Sequence, residues 1–126
     1  MGKNVFQVNS LDSAFLDAVY ENDRETALAI FQQYLQDLPA DLHAIHHSFE
    51  SGDREQFRGV IHKKKVGFSY VGLTDVTAGL NELEKKCALQ VDLSEHRAEL
   101  ASVLHRINSS TEAIRKVLEA LEQQEQ

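Results

Sequence analysis

Apolar residues recur along most of this chain at the three-and-four spacing of amphipathic helices. Residues 1 to 9 lack that period and read as an N-terminal tail. Ser10 is placed to cap a short helix with an apolar face of Leu11, Ala14, Phe15, Ala18 and Val19, Leu16 lying to one side; it ends near Glu21-Asn22. Asp23 caps the next stripe: Ala27, Ile30, Phe31, Tyr34, Leu35 and Leu38. Pro39 interrupts it, and the stripe resumes at Leu42, Ile45, His46 and Phe49 before Ser51-Gly52 stops it. A proline inside a helix removes a hydrogen bond, so the pattern predicts one bent helix or two helices meeting near Pro39. Asp53 then caps a helix with Phe57, Val60, Ile61, Phe68 and Val71 inward. Lys64 falls near the centre of that stripe, so it must snorkel, pair with a carboxylate or rotate the helix. Thr74 is expected to cap a helix through Leu89, with Val76, Leu80, Leu83 and Cys87 inward. After a connection from Gln90 to Leu93, Ser94 caps a last helix. Its stripe is Leu100, Val103, Leu104, Ile107, Ala113 or Ile114, Val117, Leu118 and Leu121, and the terminal EQQEQ frays.

Four substantial amphipathic helices with short connections predict an all-α fold, an antiparallel four-helix bundle over residues 10–122 with the short first helix as a lid across one end. Composition agrees: 126 residues suit one domain, and the chain holds one proline, six glycines and no tryptophan.

Charge narrows the functional classes. Thirteen basic against 20 acidic side chains give a net charge of −7, which argues against general nucleic-acid binding. Yet Arg58, Lys63, Lys64 and Lys65 crowd around His62, where the plain alternative is a solvated helix face. Cys87 is the one cysteine and reads as a small core residue. The N-terminus has no apolar signal core, Phe6 stands where a myristoylation motif needs Ser or Thr, and no apolar run approaches a membrane span. The expectation is a soluble, cytoplasmic monomer.

His62 falls off the apolar stripe of its helix, at the boundary of buried and wet surface. Arg58, Lys65 and Ser69 share its strip at spacings of four, three and seven, and Gly72 closes the same side without a side chain. An imidazole so placed is suited to meet something anionic. His43 and His47, four apart, offer a rival reading as a metal-holding pair, but no Glu-x-x-His pair or second histidine cluster completes a site. His46 is expected to be partly buried. Phe15, Leu16 and Val19 suit either a core or an apolar docking patch.

The string His62-Lys63-Lys64-Lys65, followed by Gly67, Ser69 and Gly72, resembles the signature of histidine-containing phosphotransfer (HPt) domains: a histidine, a lysine three residues on and a glycine ten residues on. The order of elements from about residue 11 to 122 is similar too. Two positions depart from the pattern: Val66 stands where the family has glycine after the lysine, and Lys64 where it has an apolar residue. The resemblance implies a phosphocarrier in a multistep His-Asp phosphorelay, with no independent enzyme activity. His62 would accept the phosphoryl group and Lys65 neutralise its charge, with Arg58 and Ser69 as further candidates. Phe15, Leu16, Val19, Val66, Gly67 and Gly72 would meet the partners, which are receiver domains of a hybrid histidine kinase and of a response regulator. The receiver supplies the aspartate and the Mg²⁺; the chain needs no cofactor of its own, and it lacks a phosphate-binding glycine loop. The alternatives are an HPt-like adaptor that docks on receivers without being phosphorylated, and the metal-holding bundle on His43 and His47.

Overall fold

The computed structural model describes residues 4–89 and 91–124. Residues 1–3 of the expected tail, Gln90 of the expected connection and residues 125–126 of the expected frayed end lie outside that range. The described residues form α1 (Ser13–Val19), α2 (Arg24–Glu50), α3 (Arg54–Ser69), α4 (Thr74–Lys86), a 3-10 turn (Leu93–His96), α5 (Arg97–Ser109) and α6 (Thr111–Gln123), with no strand among them. The fold is an all-helical bundle in which α3 packs on α4 and α2, α2 on α6, and α4 on α5. None of these helices is long and apolar enough to cross a membrane.

Caps explain most of the element starts. The Asp23 carboxylate accepts from Thr26 N and the Asp53 carboxylate from Glu55 N and Gln56 N, as the spacing predicts. Two other starts differ. Asp12, not Ser10, caps α1 by accepting from Phe15 N. Thr74 lies inside α4 rather than capping it, because its hydroxyl is spent on Asp12 Oδ2 at 2.8 Å. α4 also stops at Lys86 rather than at Leu89: Ala88 N and Leu89 N turn back to the carbonyls three residues before them.

α2 runs unbroken for 27 residues through Pro39, so the pattern belongs to one helix. His46 is exposed; the helix buries Ser48 instead, whose hydroxyl satisfies itself on Ile45 O. The expected last helix is two. Ser94 falls within the 3-10 turn, which Asp92 caps, and the chain breaks again at Ser110. There the Ser109 hydroxyl donates to Arg106 O and the Ser110 and Thr111 hydroxyls to Ile107 O, competing with the helix's own N–H donors. Ile114, not Ala113, is the fully buried member of the stripe.

The core holds Phe31, Ile45, Phe57, Ile61, Leu80, Leu83, Ile107, Ile114 and Leu121, all essentially inaccessible. The described residues before α1 join it rather than trailing as a tail. Phe6 is buried, its ring 5.7 Å from Tyr20 and 6.3 Å from Phe31, with Val5 and Val8 packed alongside. Burying a phenylalanine is worth about 2 kcal/mol. α1 likewise turns a different face inward: Leu11, Leu16 and Tyr20 are buried, while Ala14, Ala18 and Val19 face solvent. The helix is fastened to the α3–α4 turn, where Asp12 N donates to Gly72 O at 2.8 Å and the Tyr20 hydroxyl to Tyr70 O at 2.7 Å.

Candidate functional site

The rotation of α3 is set from both sides. Asp53 fixes its first turn, and Phe57, Ile61 and Phe68 bury one face. His62 is thereby turned to the outside, its side chain 63% exposed. On α4 the buried Val76, Leu80 and Leu83 leave Asn81 and Glu84 on the flank that meets α3. The two flanks join at Glu84. Its Oε2 lies 2.7 Å from His62 Nδ1, and its Oε1 accepts from Lys65 Nζ at 2.6 Å. Lys65 also donates to Asn81 Oδ1 at 2.8 Å, and Arg58 Nη1 stands 3.8 Å from Glu84 Oε2 while its Nη2 holds Glu55 at 3.3 Å.

These contacts have electrostatic consequences. The Lys65 hydrogen bond, then that of His62 and the charges of both, hold the Glu84 carboxyl below its ordinary value against the opposing effect of burial. Glu84 is therefore an anion at neutral pH, and an anion can only accept. The neutral His62 ring must then carry its proton on Nδ1, which leaves the lone pair of Nε2 pointing away from Glu84. An open groove of about 410 Å³ runs beside the pair, lined by Arg58, Lys65, Asn81, Glu84 and Lys85. The site thus offers one nucleophilic nitrogen to solvent, with the Lys65 ammonium and the Arg58 guanidinium gathered on the carboxylate beside it.

The three consecutive lysines do not form a collar. At about 100° per residue they splay: Lys63 is exposed, Lys64 pairs with Asp41 of α2 at 2.8 Å, and Lys65 turns to α4. Pairing with a carboxylate is thus how Lys64 tolerates the apolar stripe. Ser69 is likewise separated from His62. It is buried, and its hydroxyl donates to Thr77 Oγ1 at 2.7 Å, which in turn donates to Lys65 O at 2.6 Å. Ser69 stitches α3 to α4 and has no free hydroxyl for a ligand at His62.

Of the expected surface residues, Val66 is 50% and Val19 39% exposed, and Phe15 is half-buried. Leu16 is fully buried against the α3–α4 turn, so it belongs to the core. Gly67 is open: nothing lies within 4 Å of where its side chain would start. Gly72 is the opposite, buried at φ +89°, where an added Cβ would come 2.8 Å from Leu11 Cβ and 3.0 Å from Leu16 Cδ1. It seats α1 and presents no surface to a partner.

Two residues join the site that the sequence reading omits. Tyr70, 37% exposed with its ring 6.2 Å from Phe15, continues the outward row His62, Val66, Tyr70 at four-residue steps. That spacing could have found it. Glu84 could not be found so, because only the register of α4 on α3 brings it to His62. The rival histidine pair is placed differently. The rings of His43 and His47 stack on each other at 5.7 Å, and among the described residues no group of three or more possible metal ligands gathers. Cys87 is buried, with its thiol pushed up by that burial, as befits a core residue.

A protein-family model described as Hpt domain matches residues 29–124. Comparison with curated proteins and with solved structures gave no match.

Proposed function

The chain belongs to the Hpt domain family, and on that footing we propose that it is a histidine phosphocarrier of a multistep His-Asp phosphorelay. His62 Nε2 accepts a phosphoryl group from the aspartate of one receiver domain and passes it to the aspartate of another. The observation that carries this reading is the Nδ1–Glu84 contact of 2.7 Å on a ring that is 63% exposed. It leaves a single nucleophilic nitrogen presented to whatever docks.

Each transfer is a displacement at phosphorus. The Nε2 lone pair forms the N–P bond as the bond to the aspartyl oxygen breaks, and the carboxylate leaves with the electron pair. Lys65, and Arg58 beside it, offset charge on the phosphoryl oxygens. The receiver supplies Mg²⁺ and its acidic pocket; this chain supplies the nucleophile and a shaped surface, and it has no catalysis of its own. That surface is the apolar row Val66, Tyr70, Phe15 and Val19, which leads away from His62, with Gly67 open beside it. One surface serving two receivers makes their complexes mutually exclusive. In the same reading the long helices form an antiparallel four-helix bundle with α1 as its lid, working as a monomer in the cytoplasm.

The test is transfer from a phosphorylated receiver domain in the presence of Mg²⁺, read as label that survives alkali and is lost in acid. Wild type should take label and His62→Gln none. Receivers that bind yet never transfer would leave a docking adaptor in place of a carrier. Receivers that neither bind nor transfer would sink both readings.

A further inference from the structure

Glu84 does two things to His62 that pull in one direction. Its Oε2 accepts a hydrogen bond from Nδ1–H at 2.7 Å, and its Oε1 accepts from Lys65 Nζ, the ammonium that the proposed function assigns to the phosphoryl group, at 2.6 Å. Its side chain is 15% exposed, so water screens these contacts only in part. When Nε2 forms its bond to phosphorus with Nδ1–H in place, the ring becomes cationic, and the carboxylate beside it stabilises that cation. Discharge then returns the electron pair to Nε2 and releases a neutral imidazole, a good leaving group. Loss of the Nδ1 proton would make the leaving group an imidazolate, which departs far less readily. Meanwhile a carboxylate close to the phosphoryl group repels it and retains part of Lys65's charge.

We propose that Glu84 is a positioning residue that keeps phosphorylated His62 protonated on Nδ1 and competes with the phosphoryl group for Lys65, so that the phosphohistidine is short-lived and ready to discharge. This rests on the carrier reading above. The charged groups gathered with Glu84 in the groove beside the ring are Glu55, Arg58 and Lys65 from α3 and Lys85 from α4, Glu84 itself holding the ring. Of these only Glu84 contacts Nδ1.

The experiment phosphorylates the full chain chemically with phosphoramidate, so that no partner is needed, and assigns the His62 signal by difference from His62→Gln. After the reagent is removed, loss of the phosphoryl group and the ³¹P resonance are followed from pH 6 to 9. Glu84→Gln, which keeps the shape of the side chain, should lengthen the half-life at pH 7.5 by about threefold to tenfold and move the midpoint of the ³¹P titration down by about one pH unit. Glu84→Ala should do the same, since both remove the charge. Equal half-lives and midpoints in wild type and Glu84→Gln overturn the inference, as does lengthening in Glu84→Ala alone. A wild type that takes no phosphoryl group on His62 overturns inference and carrier reading together. If the half-lives differ as expected but no receiver with Mg²⁺ discharges either protein, the carrier reading fails and the inference about Glu84 stands.

Discussion

The middle of α3 and the turn that follows the helix are built on opposite terms. From His62 to Gly67 the outer flank is open: an exposed imidazole, an exposed valine and a glycine with empty space above it. From Ser69 to Leu73 the chain is enclosed except at Tyr70. Ser69, Val71, Gly72 and Leu73 are buried, hydroxyls of Ser69 and Thr77 bind α4 to the Lys65 carbonyl, and Gly72 is pressed against Leu11 and Leu16. The lesson is that one sequence signature mixes two kinds of constraint. In the proposed carrier His62 and Lys65 serve through what their atoms can do, whereas Gly72 is required because nothing larger fits.

Substitutions can break that division, and the largest effect belongs to the enclosed end. Gly72→Ala forces a side chain into a positive-φ position already 2.8 Å from Leu11 Cβ. Strain and overpacking together should cost about 3 kcal/mol, read as a lower midpoint in urea. An unchanged midpoint would refute the packing role. Next comes Lys65→Met in the open middle. It should slow phosphoryl transfer about tenfold while keeping helicity, because the lost interaction is with the phosphoryl oxygens. A variant that transfers at the wild-type rate would remove Lys65 from the chemistry. Gly67→Ala inverts the first result. With nothing within 4 Å of the new methyl, replacing glycine inside a helix should stabilise the fold by about 0.8 kcal/mol. The smallest effect is the pH dependence of stability. Glu84 has its carboxyl held below the ordinary value by Lys65 first and then by His62. Its contribution is therefore complete above the usual carboxylate range and is lost as pH falls through the lowered value. Glu84→Gln should flatten the acid limb of a stability curve by about 0.5 kcal/mol. A limb as steep as in wild type would show that the pairing adds nothing to stability.

How much of this is legible beforehand follows from the range of each cause. The α3 stripe, the caps at Asp23 and Asp53 and the outward turn of His62 depend on neighbours within a turn or two, so spacing reveals them. Leu16 is misread because seven residues make under two turns, and a face that short is decided by what it lands on. The break at Ser110 depends on which carbonyls the hydroxyls choose. Glu84 is the largest omission: it lies 22 residues from His62, and helix periodicity says nothing of how α4 slides along α3. The resemblance to HPt domains pointed to Gly72 but not to its reason, which is its contact with a helix more than fifty residues earlier.

The fastening of α1 at both ends bears on tempo. Asp12 ties one end to Gly72 and Thr74, Tyr20 ties the other to Tyr70, and the Phe15 ring is set against Tyr70 between them. A surface braced in this way has no gate to open before a partner can seat. Encounter should then proceed at the ordinary rate for two rigid proteins, about 10⁵ to 10⁷ M⁻¹s⁻¹, and rise linearly with partner concentration. A plateau at high concentration would reveal a hidden opening step. Without such a step, the interval between one partner and the next is set by how fast the first one leaves.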